Sequence, residues 1–258
     1  MQGGPRLGRS LRLPFQGRCI AAGRPVGSPV VKLPLRTGVV VQMRLDSRRL
    51  PGKALLPVGG ATLAGMVMRR LRGIPADERI LATDADGARA LAAVAAEFGF
   101  SVFAGPKDDV LARYAMAAEA FGLGRVVRAT GDNPFASVRL ASLAIEAADA
   151  YGADYAGLVG MPVGMGVEVI GVAALLRAAS VATSAFDREH VCPYLYGHPV
   201  SFVIVRPGCP DAYRLPEARA TVDTDEDFRR TVSMVAALGP EPSDDAVLAW
   251  LRAERKAG

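Results

Sequence analysis

An α/β fold with a mainly parallel sheet, covered by helices on both faces, follows from three features of the sequence. Short apolar runs alternate with longer segments whose apolar residues recur at helical spacing. The runs stop at turns built on Asp, Gly or Pro that lead into those segments. Half of the 258 residues are hydrophobic, ample for one core of that kind. Strands that alternate with helices of this length form parallel sheets buried on both sides.

The elements run as follows. Val39 to Met43 is a short apolar strand. A helix is predicted from Thr62 to Arg72, with Leu63, Met66, Val67 and Leu71 on one face. Ile80 to Thr83 is a second strand, stopping at Asp84. Leu91, Val94, Ala95 and Phe98 mark a helix, and Val102-Phe103 a third strand. Leu111, Tyr114, Ala115, Ala118 and Phe121 mark the next helix. Val126 to Thr130 is a fourth strand that ends at Gly131-Asp132-Asn133-Pro134, and Leu140, Leu143, Ala144 and Ala147 continue the alternation. The second half is less regular. Gly157 to Gly166 is a glycine-rich loop, Val167 to Ile170 a short strand, and Val172 to Ala179 a helix. Arg188 to Val191 makes a helical turn, and Val200 to Val205 reads as a strong buried strand. A helix follows Asp223, capped by Thr224 or Asp225, and a terminal helix spans Ser243 to Lys256.

Charge divides the chain unevenly. Residues 1–38 hold six arginines, one lysine and no acid; the remainder holds 24 basic against 26 acidic residues. The net charge of +5 therefore belongs to the amino-terminal stretch, and the folded part lacks the basic footprint of a nucleic-acid binder. Residues 1–36 are rich in Gly, Pro and Arg without sustained period and read as a disordered basic extension, leaving 37–258 as a single domain. Cys19, Cys192 and Cys209 share no CxxC spacing, and no apolar run approaches the ~20 residues of a membrane span, so a reducing cytoplasmic setting is expected.

The chemistry centres on Val39 to Leu56, VVVQMRLDSRRLPGKALL. An apolar strand runs into a loop that carries Arg44, Arg49 and Lys53 and is broken by Pro51-Gly52. Guanidinium forks match phosphate oxygens, and lysine adds a compact charge. Ligands of parallel α/β sheets bind beyond the carboxyl ends of the strands, so this loop, Asp84 and Asp132 should open on one rim. Asp132 and Asp223 each have two readings, a helix cap or a cation ligand. Taken as a pair facing a basic loop, they suit a magnesium-bound triphosphate, since magnesium takes one or two carboxylates and completes its shell with phosphate oxygens and water. Arg128, inside the fourth strand, is either a structural ion pair or a pocket residue. Arg113 reads as a solvated helix face sooner than a ligand contact, and His190 as a histidine that satisfies local hydrogen bonds sooner than a general acid or base. No P-loop, GxGxxG, HExxH or GxSxG is present.

The stretches QMRLDSRRLPGKAL, VVRATGDNP, VEV, REHVCPY and ATVDTDEDF, in that order, resemble the cytidylyltransferases of the spore-coat polysaccharide branch. More distantly, they resemble the enzymes that activate 3-deoxy-manno-octulosonate and acylneuraminate. The resemblance implies a nucleotide-diphospho-sugar transferase (Rossmann-like) fold, CTP as donor, Mg2+ as cofactor, a sugar acceptor of acidic type, and a homodimer. It also implies roles for residues: Arg44, Arg49 and Lys53 on the triphosphate, Asp132 and Asp223 on the metal, and Gln42, Ser47, Gly52 and Arg128 around the nucleotide. The likeness departs at Met43, Asp46 and Arg48 in the loop and at Gly166 near the acceptor side. The expected activity is CMP transfer to a sugar with release of pyrophosphate. Its alternatives are a glycosyltransferase on the same fold and a catalytically silent nucleotide-binding protein.

Overall fold

The three consecutive valines Val39, Val40 and Val41 are fully buried, at the centre of a computed structural model that describes residues 35–257. The disordered extension expected for residues 1–36 lies outside the described residues up to 34. Its last two are held: the backbone carbonyl of Arg36 accepts from Gly124 N at 2.8 Å and Arg125 N at 3.1 Å.

The chain forms β1 (Thr37–Gln42), a hairpin of β2 (Pro57–Val58) and β3 (Ala61–Thr62), then α1 (Leu63–Leu71), β4 (Glu78–Thr83) and α2 (Ala85–Glu97). There follow β5 (Ser101–Ala104), α3 (Val110–Ala120), β6 (Arg125–Thr130), α4 (Val138–Tyr151), β7 (Tyr155–Gly157) and β8 (Glu168–Gly171). The rest comprises α5 (Val172–Val181), α6 (Ala185–His190), α7 (Pro193–Gly197), β9 (Ile204–Val205), α8 (Asp225–Leu238) and α9 (Asp244–Ala257).

Seven strands form one sheet in the order β5-β4-β1-β6-β8-β7-β9. Every pairing is parallel except those of β8, which runs antiparallel to both β6 and β7. The chain steps outward from β1 through β4 to β5, then crosses back to β6 on the other side of β1. That reversal opens a crevice at the carboxyl ends of β1 and β6, the usual place for a ligand in such sheets.

The pleat sorts the core into two layers. Val39 and Val41 pack with Leu63 and Val67 of α1, Leu140 of α4 and Leu248 of α9. Val40 points the other way, with Leu111 and Tyr114 of α3, Leu175 of α5 and Leu195 of α7. Each such valine or leucine contributes roughly 1.5–3 kcal/mol by leaving water. Helix starts follow the sequence closely: Thr62, Asp84, Asp109, Ser137 and Thr224 each accept a backbone N–H from the first turn of the helix they precede.

Asp244 ties the terminal helix to the core. Its carboxylate accepts from Arg70, from the Ser137 hydroxyl and from the Tyr213 hydroxyl, the last at 2.9 Å. Burial, then this bond, pushes the Tyr213 phenol up to about 12. Asp244→Ala strands the largely buried Arg70 guanidinium, an expected loss of about 2–4 kcal/mol. In a domain of this size that lowers Tm by roughly 5–15 °C. Thermal unfolding by circular dichroism checks it, and an unchanged Tm would show that the latch carries no stability.

Two expectations are corrected. The strand expected over Val200–Val205 shrinks to Ile204–Val205, and Val200 is 86% exposed. Upstream of Ile204 the chain turns, with Ser201 N donating to His198 O. Val203 is instead fastened to Asp154: its N–H donates to the carboxylate and its carbonyl accepts Asp154 N, both at 2.9 Å. Arg113 is no solvated face. It is completely buried, its Nη1 donating to Pro106 O at 2.5 Å and Lys107 O at 3.1 Å, and burial lowers its pKa.

Candidate active site

The loop after β1 is closed by one backbone bond, Gly52 N to Leu45 O at 2.9 Å. Gly52 turns it with φ 67°, a left-handed conformation that costs glycine nothing and a side-chain residue about 1 kcal/mol or more. Nothing lies within 4 Å of where its Cβ would be, so the dihedral alone requires glycine. Lys53 follows at once and is thereby aimed back across the crevice, donating to Val222 O at 2.6 Å.

From there Lys53 Nζ lies 3.7 Å from Asp132 Oδ2 and 3.6 Å from Asp223 Oδ1. Residues separated by 79 and 170 positions in the chain thus meet at one cation. A backbone bond, Val222 N to Asp132 O at 2.8 Å, fixes the two acid-bearing segments to each other. Neither acid is a helix cap: Ser137 caps α4, and Thr224 caps α8 in a capping box completed by Asp227. Asp132 Oδ1 accepts the Thr130 hydroxyl at 2.6 Å. Asp223 also takes Arg49 at 2.9 Å and Arg219 at 3.2 Å. Arg219 was missed in the sequence; its position four residues before Asp223 was the available signal.

Asp84, by contrast, is a cap. Its buried carboxylate accepts Gly87 N at 2.7 Å, which removes it from the ligand rim. Arg44 stands apart from the acid pair, with Asp46 at 3.8 Å and Glu189 at 3.7 Å. Asp46, the acid inside the basic loop, is neutralised: the Lys107 ammonium at 2.9 Å, with Arg44 beside it, holds its carboxyl below the usual range. Met43 is buried, and a Cβ on Gly131 would meet its Cγ at 2.2 Å. The methionine and the glycine therefore belong together, one filling the space the other leaves. Ser47 is half-buried in the same loop.

Arg128 is the ion pair that its place in a central strand demands. It pairs with Glu168 across the β6–β8 register and donates to Gln42 Oε1 at 3.2 Å. Burial alone would lower its pKa, but the Glu168 carboxylate outweighs that and keeps it above the ordinary value. Glu168 accepts the Tyr155 hydroxyl at 2.8 Å as well; burial first and Glu168 second push that phenol up. His190 packs against Phe186 with the rings tilted at 58° and their centroids 4.5 Å apart.

Chemically, the crevice offers a row of cations and two hard oxygen ligands. Among the described residues no group of three or more His, Cys, Asp or Glu could cage a metal alone. Asp132 and Asp223 nonetheless suit a hard divalent ion. Lys53 shows that a cation can stand between them, and the remaining ligands would come from phosphate and water.

Comparison with known proteins bears on the family and the fold. The family model described as "Cytidylyltransferase" matches residues 38–247. The spore coat polysaccharide biosynthesis protein SpsF of Bacillus subtilis is 31% identical over 214 residues, 80% of this chain and 89% of its own. A cytidylyltransferase structure from Leptospira borgpetersenii superposes with TM-score 0.78 at 25% identity, covering 86% of this chain and 96% of that one. The CMP:2-keto-3-deoxy-manno-octonic acid synthetase in complex with CTP shares the fold, with TM-score 0.61 at 15% identity over 78% of this chain and 99% of that one.

Proposed function

From the premise that the chain belongs to the cytidylyltransferase family and has the nucleotide-diphospho-sugar transferase fold, we propose that it transfers CMP from CTP to a sugar, for a surface polysaccharide or glycoconjugate. Family membership makes it a nucleotidyltransferase and sets aside glycosyl transfer and the silent binding protein. The observation that carries the reading further is the meeting of Lys53 with Asp132 and Asp223 at the sheet crevice. The polysaccharide role is supported by what the SpsF relative is named for.

In this reading the triphosphate lies along the loop after β1. Arg44 and Arg49 bind its outer oxygens, and Lys53 sits beside the bond that breaks. An acceptor oxygen attacks the α-phosphorus in line, and pyrophosphate leaves toward the basic loop. Charge builds on that leaving group, and fixed cations already in place stabilise it without reorganisation. Gln42, Ser47, Gly52 and Arg128 shape the nucleotide pocket. Asp132 and Asp223 would hold Mg2+, which supplies neutralising charge at the phosphates when bound. No helix among the described residues is long and apolar enough to cross a membrane.

A thermal-shift panel of the four nucleoside triphosphates, with Mg2+ or with EDTA, tests the reading. CTP with Mg2+ at about 100 times its Kd should add about 2.7 kcal/mol, a rise of roughly 5–10 °C, and EDTA should remove most of it. Equal shifts for all four triphosphates, or none, would overturn the choice of CTP.

A further inference from the structure

Arg44, which the loop after β1 offers to a triphosphate, already has anions beside it. Asp46 Oδ1 lies 3.8 Å from its Nε, and Glu189 of α6 lies 3.7 Å from its Nη2. The other carboxylate oxygen of Asp46 takes the Lys107 ammonium at 2.9 Å, from the loop between β5 and α3. The sheet order places β4 between β1 and β5, so this pair reaches over the carboxyl end of β4 and joins the two loops. One acid therefore engages two cations, one from each loop. It sits in the middle of the basic stretch, at one of the positions where the chain departs from the cytidylyltransferase likeness.

The lysine is half fixed. Its backbone is held: Gly105 N donates to Thr83 O at 2.9 Å, and the buried Arg113 donates to the carbonyls of Pro106 and Lys107. Its side chain is 48% exposed, and that of Asp46 46%. An ion pair so open to water is weak and screened by salt. A polyphosphate brings several charges and can engage more than one cation at once, so it can displace a single carboxylate. A phosphate chain lying along this loop also meets Asp46 as like against like. Arg44 cannot serve such a chain and keep both of its acids.

We propose that Lys107 is a further phosphate-binding residue and that Asp46 is its internal competitor. In the free protein the Asp46 carboxylate takes the part of a phosphate oxygen on Lys107 and Arg44. Polyphosphate binding exchanges one anion for the other, and the cations return to Asp46 when pyrophosphate leaves. The loop then grips both nucleotide and pyrophosphate less tightly than its cations alone would. The assignment rests on the loop being a polyphosphate site, and on no choice of base, metal or acceptor.

The other role open to Asp46 is a clasp that shapes the loop for its ligand, and the two roles predict effects of opposite sign. The experiment is calorimetric titration of the full chain with inorganic tripolyphosphate, with pyrophosphate and with CTP, in excess Mg2+. The proteins are wild type, Asp46→Asn, Lys107→Met and the double variant. Asparagine keeps the shape and an oxygen for Lys107 while it removes the charge. Asp46→Asn should bind tripolyphosphate about 10-fold tighter, and Lys107→Met about 10-fold weaker. In the double variant the gain from Asp46→Asn should shrink to the share owed to Arg44, since no lysine is left to release. Pyrophosphate should follow the same order, and the ranking of CTP against the other nucleoside triphosphates should not change. Asp46 and Lys107 are exposed, so the substitutions leave the fold intact, which melting without ligand checks. Asp46→Asn that binds tripolyphosphate as weakly as wild type or more weakly, Lys107→Met that binds like wild type, or no polyphosphate binding by any of the four proteins would each overturn the proposal. A chain that shows no preference for CTP, yet responds to the two substitutions as stated, would sink the choice of nucleotide and leave this proposal standing. Selective CTP binding that neither substitution alters would do the reverse.

Discussion

Lys53→Ala is expected to lower turnover by about 100-fold or more, the loss seen when a preorganised partner of transition-state charge is removed. The side chain is only 14% exposed and is fixed at both ends: its backbone N–H donates to Leu50 O at 3.2 Å and its ammonium to Val222 O at 2.6 Å. No neighbour can take its place. Arg49 is largely exposed and already engaged with Asp223, and Arg44 is held by Asp46 and Glu189. A second readout separates chemistry from folding. Without the ammonium, Asp132 loses the cation it held at 3.7 Å and faces Asp223, which keeps Arg49 and Arg219. The variant should therefore melt lower than wild type in EDTA and recover when Mg2+ is added. Pyrophosphate release at saturating CTP, together with Tm in both buffers, checks both statements. Near-normal turnover would remove the lysine from the chemistry.

Much of this site could be read from the sequence because its parts sit where regular structure stops. An apolar run followed by Pro51-Gly52 and three cations, and an acid placed just after Thr130, mark strand ends, and parallel topology sends such ends to one side; Asp223 follows no strand and is brought there by the bond from Val222 N to Asp132 O. What the sequence could not carry was direction and depth. The run Val167–Ile170 looks the same in a parallel or an antiparallel strand, yet only the antiparallel one brings Glu168 level with Arg128. Tyr155–Gly157 is too short and too rich in glycine to announce a strand, so Tyr155 stayed unread until β8 paired with it. Val200–Val205 has the composition of a buried strand. Its first half is instead claimed by local bonds, with Arg177 donating to Ser201 O at 2.7 Å and stacking 4.3 Å from the Phe202 centroid. Arg113 carries the signature of a surface residue, and only the fold of the 105–107 loop over it supplies the carbonyls that make its burial tolerable. Arg206 and Tyr196 carry no motif at all; they become a pair only through tertiary structure.

The two acids permit a sharper test than either alone. Asp132→Asn and Asp223→Asn should each cut turnover by about 100-fold and raise the Mg2+ concentration needed for half-maximal rate, since each removes one of two anionic ligands of a single ion. Asparagine keeps the shape, so the Thr130 hydroxyl that Asp132 accepts at 2.6 Å and the Arg49 contact at 2.9 Å still find an oxygen. The backbone bond that joins the two segments is untouched, because it uses Asp132 O and Val222 N. Geometry is thus preserved while charge is lost. If both carboxylates serve one ion, the first substitution already forfeits most of what that ion supplies, and the second has little left to remove. The double variant should then fall no more than about 10-fold below the weaker single one, where independent roles would give about 10⁴-fold in total. Initial rates across a Mg2+ titration for the four proteins measure this directly. Losses that multiply would assign the acids to separate tasks, with Asp223 acting through Arg49, Lys53 and Arg219 and Asp132 alone at the metal. Retention of full rate by Asp223→Asn would detach the second acid from the reaction altogether.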